Sequence, residues 1–184
     1  MESVPAVFAP WAVFYTITGS SAAALTGLMF VVVTIMRDAE RASEGLATIS
    51  TAIVVHFTAA LMVSGLLCAP WPAILWPASV LALFGVAGVS YQARVYVVAE
   101  RANGGDYTPD IEDRIWYILL PPVAYAAMLV GAILLSIAPA IGSYVPAAAV
   151  ALLLLIGIHN SWDVVTFITI ANPTPPEQKE RNQL

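Results

Sequence analysis

Charge is scarce in this 184-residue chain: 10% of its residues are Asp, Glu, Lys or Arg, against 60% that are hydrophobic. Soluble domains carry about 25% charged residues, and a chain this apolar cannot cover itself with a water-facing surface. Lipid is therefore the expected solvent for most of it. Cysteine is nearly absent too. The lone Cys68 excludes an intrachain disulfide and a cysteine-ligated iron–sulfur cluster or zinc site, and reads as a small space-filling hydrophobe. The one lysine, Lys179, lies in the C-terminal tail, so no intramembrane Schiff base to retinal or pyridoxal can form. No Gly-x-Ser-x-Gly elbow surrounds a serine, and the chain has no Walker A lysine and no dinucleotide fingerprint. We assign no catalytic residue and expect no enzyme. The net charge of −5 sits in short loops and the tail and gives no electrostatic case for nucleic acid. Met1-Glu-Ser-Val-Pro5 lacks the basic start of a signal peptide, so the first apolar stretch reads as a retained helix.

What the chain has in abundance is long apolar runs. A bilayer core about 30 Å thick needs about 20 apolar residues as helix. Five stretches qualify, over residues 10–36, 46–67, 74–98, 114–137 and 146–170. The fold class expected is an all-α integral membrane bundle of five helices, forming one domain over residues 1–171. The count depends on two breaks. Pro70, Pro72 and Pro77 interrupt the run after Leu67, and Gly142 and Pro146 separate the last two spans. Residues 172–184 are Pro-rich and polar and read as an extended cytoplasmic tail.

Orientation follows from the basic residues. Arg37, Arg41, Arg94, Arg101, Arg114, Lys179 and Arg181 all fall on one side of a five-span chain. Cytoplasmic loops carry the Lys/Arg excess, which places the N-terminus outside and the C-terminus in the cytoplasm. In a bacterium the host would be the plasma (inner) membrane. Trp11, Trp71, Trp76 and Tyr144 then mark the outer interface, and Tyr96, Trp116 and Tyr117 the inner one. Glu100, Asp106, Asp110, Glu112 and Asp113 read as solvated charges of the cytoplasmic loop, without EF-hand spacing. Thr108 suits the N-cap of the fourth helix, with Pro109 at its first position.

Small residues mark where helices approach closely in lipid. Gly19, Ala23 and Gly27 recur at four-residue spacing in the first helix, which is expected at the bundle centre or at a subunit contact. Gly85 and Gly88 offer a contact in the third. Pro121 and Pro122 should kink the fourth, with Tyr125 one turn further on.

Polar side chains deep in the spans are few and costly. His56, His159 and Asp163 are the His, Asp, Glu, Lys or Arg residues well inside, and Asn160 joins them. His159 and Asp163 are one helical turn apart, and Thr166 continues their face. His56 lies on a stripe with Thr48, Ala52, Ala60 and Ser64. By helical rise Asp163 lies roughly 10–12 Å from the cytoplasmic end of its helix, with His56 and His159 at roughly 15 Å, so the groups are expected at one level.

Four chemistries fit such a set. Buried His/Asp groups mark proton relays and ion paths, which makes a proton- or small-cation-binding protein, closed as a homo-oligomer, the leading expectation. A hydrogen-bonded clamp in a non-catalytic subunit of a larger membrane complex is the second. Haem b between His56 and His159, as in an electron-transfer subunit, is the third, and a divalent metal on His56, His159 and Asp163 the fourth. No cofactor is expected under the first two. The expected partners are the lipid bilayer, further copies of the chain and a membrane-protein neighbour, with no nucleic acid among them.

Overall fold

In lipid an apolar segment must satisfy its own backbone, and an isolated span can do so only as a helix. The computed structural model describes residues 7–38, 44–103 and 110–170, among which no strand occurs. Five long helices carry the chain: α1 (Ala12–Asp38), α2 (Glu44–Leu67), α3 (Leu75–Asn103), α4 (Ile111–Ile137) and α5 (Tyr144–Ile170). Each contains a segment long and apolar enough to cross a membrane, as a multi-pass membrane protein requires.

The helices overrun the apolar stretches where charge begins. α1 continues through Arg37 to Asp38, and α3 through Arg101 to Asn103, because backbone hydrogen bonding does not stop where hydropathy does. At the start of α4 the N-cap is Asp110 rather than Thr108. Its carboxylate accepts from the Ile111 N–H at 2.7 Å, which satisfies one of the free donors of the first turn. Thr108, Pro109, Asp106 and the tail from 172 lie outside the described residues.

α4 holds an irregularity. Arg114–Leu119 forms a π-turn, with the Leu120 N–H bonded to the Ile115 carbonyl. Pro121 and Pro122 follow at once. Proline lacks the N–H and crowds the carbonyl four residues back, so the preceding turn widens instead of breaking. The expected disturbance is thus a wide turn just before the prolines.

α2 and α5 form the middle of the bundle, with 50% and 56% of their apolar windows buried, against 22% for α1 and α3. α5 packs on α2 and α4 and less on α1; α1 lies along α2, and α3 along α4, with little between α2 and α3. Within the chain α1 is therefore peripheral, which corrects the first of its two expected places, the bundle centre. On a helix of 3.6 residues per turn a four-residue stripe drifts about 40° per step, so Gly19, Ala23 and Gly27 do not share one face. The buried face is Tyr15, Thr18, Gly19, Ala22 and Met29. A Cβ on Gly19 would lie 3.1 Å from Ser64 Cβ, whereas Ala23 is exposed and Gly27 has open space around it.

The α3–α4 contact is closer. Gly88 lies against the ring of Tyr125, where any Cβ would collide with it, and a Cβ on Gly85 would stand 2.6 Å from Leu129. At the other side of α4 a short turn, Pro139–Gly142, leads into α5. There the Trp11 indole donates to Ser143 Oγ at 3.0 Å, and its ring meets Tyr144 edge-on at 4.8 Å.

Candidate functional site

The structure divides the expected polar set into two clusters. The first is sealed. His56 on α2 is 1% exposed, and its Nδ1 lies 3.0 Å from the Tyr125 hydroxyl of α4. Its Nε2 faces the side-chain amide of Gln92 on α3, 3.5 Å from the amide nitrogen. A neutral imidazole has one donor and one acceptor. If Tyr125 donates to Nδ1, Nε2 carries the proton and the Gln92 amide serves it with its oxygen, after a half-turn that exchanges amide O and N. That arrangement also uses the hydroxyl proton of Tyr125, which otherwise would have no acceptor at this contact. The triad ties α2, α3 and α4 at one point.

The second cluster lies between α5 and the first turns of α4. Asp163 Oδ2 accepts from the Tyr117 hydroxyl at 3.2 Å and stands 3.4 Å from His159 Nε2. The same Nε2 is 3.6 Å from Glu112 Oε1. These two approaches are ion-pair distances, and Nε2 makes no hydrogen bond. The indole of Trp116 stacks on the His159 ring with centroids 3.9 Å apart and planes 15° from parallel, which fixes the plane of the imidazole. Trp116 and Tyr117 both lie within the π-turn. Side-chain exposure rises outward, from 22% at His159 through 39% at Asp163 to 67% at Glu112. The cluster runs from an exposed carboxylate at Glu112 to a partly buried imidazole at His159. An imidazolium here would sit between two carboxylates.

The remaining expected residues are placed apart. Asn160 is 1% exposed, and its Oδ1 has no hydrogen-bond partner among the described residues. Ser64 is buried and shares a hydrogen bond of 3.1 Å with Thr18 of α1. The Thr166 hydroxyl turns back to the carbonyls of Trp162 and Asp163, both at 3.0 Å. Thr48 lies in α2, where only its backbone is described. Tyr117 and Tyr125, the α4 members of the two clusters, are eight residues apart, roughly 12 Å along the helix.

His56 turns toward Tyr125 and Gln92, and His159 stacks on Trp116. Among the described residues no group of three His, Cys, Asp or Glu side chains is arranged to hold a metal ion. Gln92, Tyr117, Trp116 and Glu112 were not read as site residues from the sequence. Gln92 carries a usable signal, as a long neutral polar side chain within an apolar span. Glu112 does not, because its place depends on α4 beginning before Arg114. No protein-family model, curated protein or solved structure matches the chain.

Proposed function

We propose that the chain is a multi-pass membrane protein, with its N-terminus outside and its C-terminus in the cytoplasm, that binds or passes protons or small cations at the Asp163 site. One observation carries this reading: a carboxylate within a membrane-length helix is joined by a histidine and a tyrosine and opens toward a second carboxylate. Charged groups in spans are expensive and are found where they bind or pass ions. The orientation is supported by the sequence positions of the seven basic residues, which a five-span chain puts on one side. The Asp163 cluster then faces the cytoplasm.

A homo-oligomer belongs to the proposal, since five helices leave little room for a lumen and cyclic copies would enclose one. The outward residues of α1, Ala23, Ala24 and Gly27, would permit a close helix contact there. Monomeric elution in mild detergent would remove that part.

The direct test is proton and potassium flux in proteoliposomes, native against Asp163→Asn. Because Asp163 is partly exposed, the variant should fold, and its flux should fall at least tenfold. Equal flux in both would overturn the assignment of Asp163.

The alternative is a non-catalytic membrane subunit or assembly partner. The sealed His56–Tyr125–Gln92 triad favours it, because a closed hydrogen-bonded triad stabilises a bundle without touching a substrate. Stoichiometric co-purification with another membrane protein and no flux at pH 5–8 would select this reading. A Soret band on protein made with haem available would select the electron-transfer one.

A further inference from the structure

Buried polar atoms without a partner are rare, and each calls for an account. Among the described residues there are four: Tyr15 Oη, Ser50 Oγ, His159 Nε2 and Asn160 Oδ1. Of these, His159 Nε2 is the one with carboxylates at ion-pair distance, Asp163 Oδ2 at 3.4 Å and Glu112 Oε1 at 3.6 Å. One comes from α5 and the other from α4, and both approach the same nitrogen. Asp113 and Arg114 stand beside Glu112 in α4, and Tyr117 joins the cluster through Oδ2 of Asp163.

The central atom narrows the choice of ion. Sodium and potassium are held by several oxygens, from carboxylates, carbonyls or water. Here the atom approached by both carboxylates is an imidazole nitrogen, which binds a proton directly. Two ionised carboxylates facing its lone pair repel it, so the three groups together lack one proton. With that proton on Nε2 the nitrogen becomes a donor to either oxygen. A charge-assisted hydrogen bond of this kind is about 2.8 Å long, so from 3.4 Å the ring must shift by roughly 0.6 Å.

The neighbours allow that shift and oppose others. Trp116 stacks on the imidazole with centroids 3.9 Å apart and planes 15° from parallel. Stacked rings can slide in their own plane, whereas tilting or flipping the imidazole would break the stack. An indole face also attracts a cation that lies on it. The Tyr117 hydroxyl, donating to Asp163 Oδ2 at 3.2 Å, anchors the oxygen nearest to Nε2.

We propose that the ion held at this site is a proton, that its seat is the imidazole of His159, and that it arrives through Glu112. Glu112 is 67% exposed and takes a proton from water. Its O–H bond then breaks as the proton passes to the Nε2 lone pair of the neutral ring, whose own proton is on Nδ1. A carboxylate and an imidazolium result, and Nε2–H turns to Asp163 Oδ2. The inference rests on the proposed function, whose ion it names.

Nitrogen NMR on protein labelled at histidine tests the seat independently of flux. The chain has two histidines, and His159→Gln identifies the His159 signal by its loss. That signal should follow pH between pH 5 and 8, and replacing sodium by potassium at fixed pH and ionic strength should leave it in place. The midpoint of its pH response should move when Glu112→Gln is combined with Asp163→Asn. A signal indifferent to pH, a signal that alkali cations displace, or a midpoint equal to native in the double variant would each overturn the proposal.

Flux in proteoliposomes supplies the second arm. His159→Gln should lower proton flux at least tenfold, and undiminished proton flux would overturn the seat. Potassium flux that depends on Asp163 but not on His159 would overturn the proton and leave the proposed function standing. A native protein that passes neither ion, with its His159 signal still following pH, would remove passage from the proposed function and support the seat.

Discussion

The two histidines of this chain have the same chemistry and opposite surroundings. His56 is enclosed by three helices and matched nitrogen by nitrogen, to Tyr125 and Gln92. His159 has a stacked indole, two carboxylates at ion-pair distance and a way out past Glu112. A closed set of neutral partners favours one arrangement and resists change. An open set of charged partners can gain or lose a proton or a cation with little movement of the backbone. The contrast separates what holds the bundle from what the bundle can exchange with its surroundings.

Substitutions can break that contrast, and the largest effect is expected at the α3–α4 contact. Gly88→Val would put methyl groups into the space of the Tyr125 ring and so displace the partner of His56. Overpacking of this kind costs about 3 kcal/mol at the upper end of its usual range. The expected outcome is loss of monodisperse protein on size exclusion; a variant as stable as native would mean that the seat of Tyr125 is not fixed. Tyr125→Phe is a milder probe. It leaves the ring in place and strips Nδ1 of its partner, for about 1–3 kcal/mol in denaturant unfolding. Adding His56→Phe should recover part of that loss, because the unsatisfied nitrogen is then gone. A cost near zero for Tyr125→Phe would end the description of the triad as a clamp.

The smallest effect on stability belongs to the rim of the other cluster. Glu112 is 67% exposed, so Glu112→Gln should change unfolding by no more than about 0.5 kcal/mol, as for exposed ion pairs in general. Its effect should appear in the concentration of cation needed for half-maximal flux. A stability loss comparable to that of Tyr125→Phe would mean that the rim, too, is structural.

The number of helices could be read from the sequence because Pro70, Pro72 and Gly142 mark the breaks. Pro77 and Pro146, expected to break the run as well, fall in the first turns of α3 and α5, where proline is tolerated. The helix ends were legible to within a few residues, since lipid selects apolar length and the bilayer sets it. The grouping of the polar residues was not. Residue number gives depth along a helix axis, which is why His56 and His159 were expected together. It does not give the direction in which a helix turns its faces once it has neighbours. His56 and His159 share a depth by count but face different helices. Pro121 and Pro122 announced a disturbance in α4, but not that it would be a widened turn presenting Trp116 and Tyr117 to α5. The stripe on α1 divides for a related reason: spacing by four drifts on a helix of 3.6 residues per turn, so Gly19 meets Ser64 while Ala23 faces outward.

The pattern of contacts also bears on the order in which the chain can be put together. α1 with α2 and α3 with α4 are hairpins of neighbours in sequence, and the two hairpins touch little through α2 and α3. α5 packs on α2 and α4 at once, and the turn before it supplies Ser143 to Trp11, across 132 positions of sequence. During synthesis the first four helices can therefore enter the membrane as two loosely associated pairs. The last helix, which carries Asn160 and Asp163, packs on both pairs, so a ribosome must finish the chain before the Asp163 cluster exists.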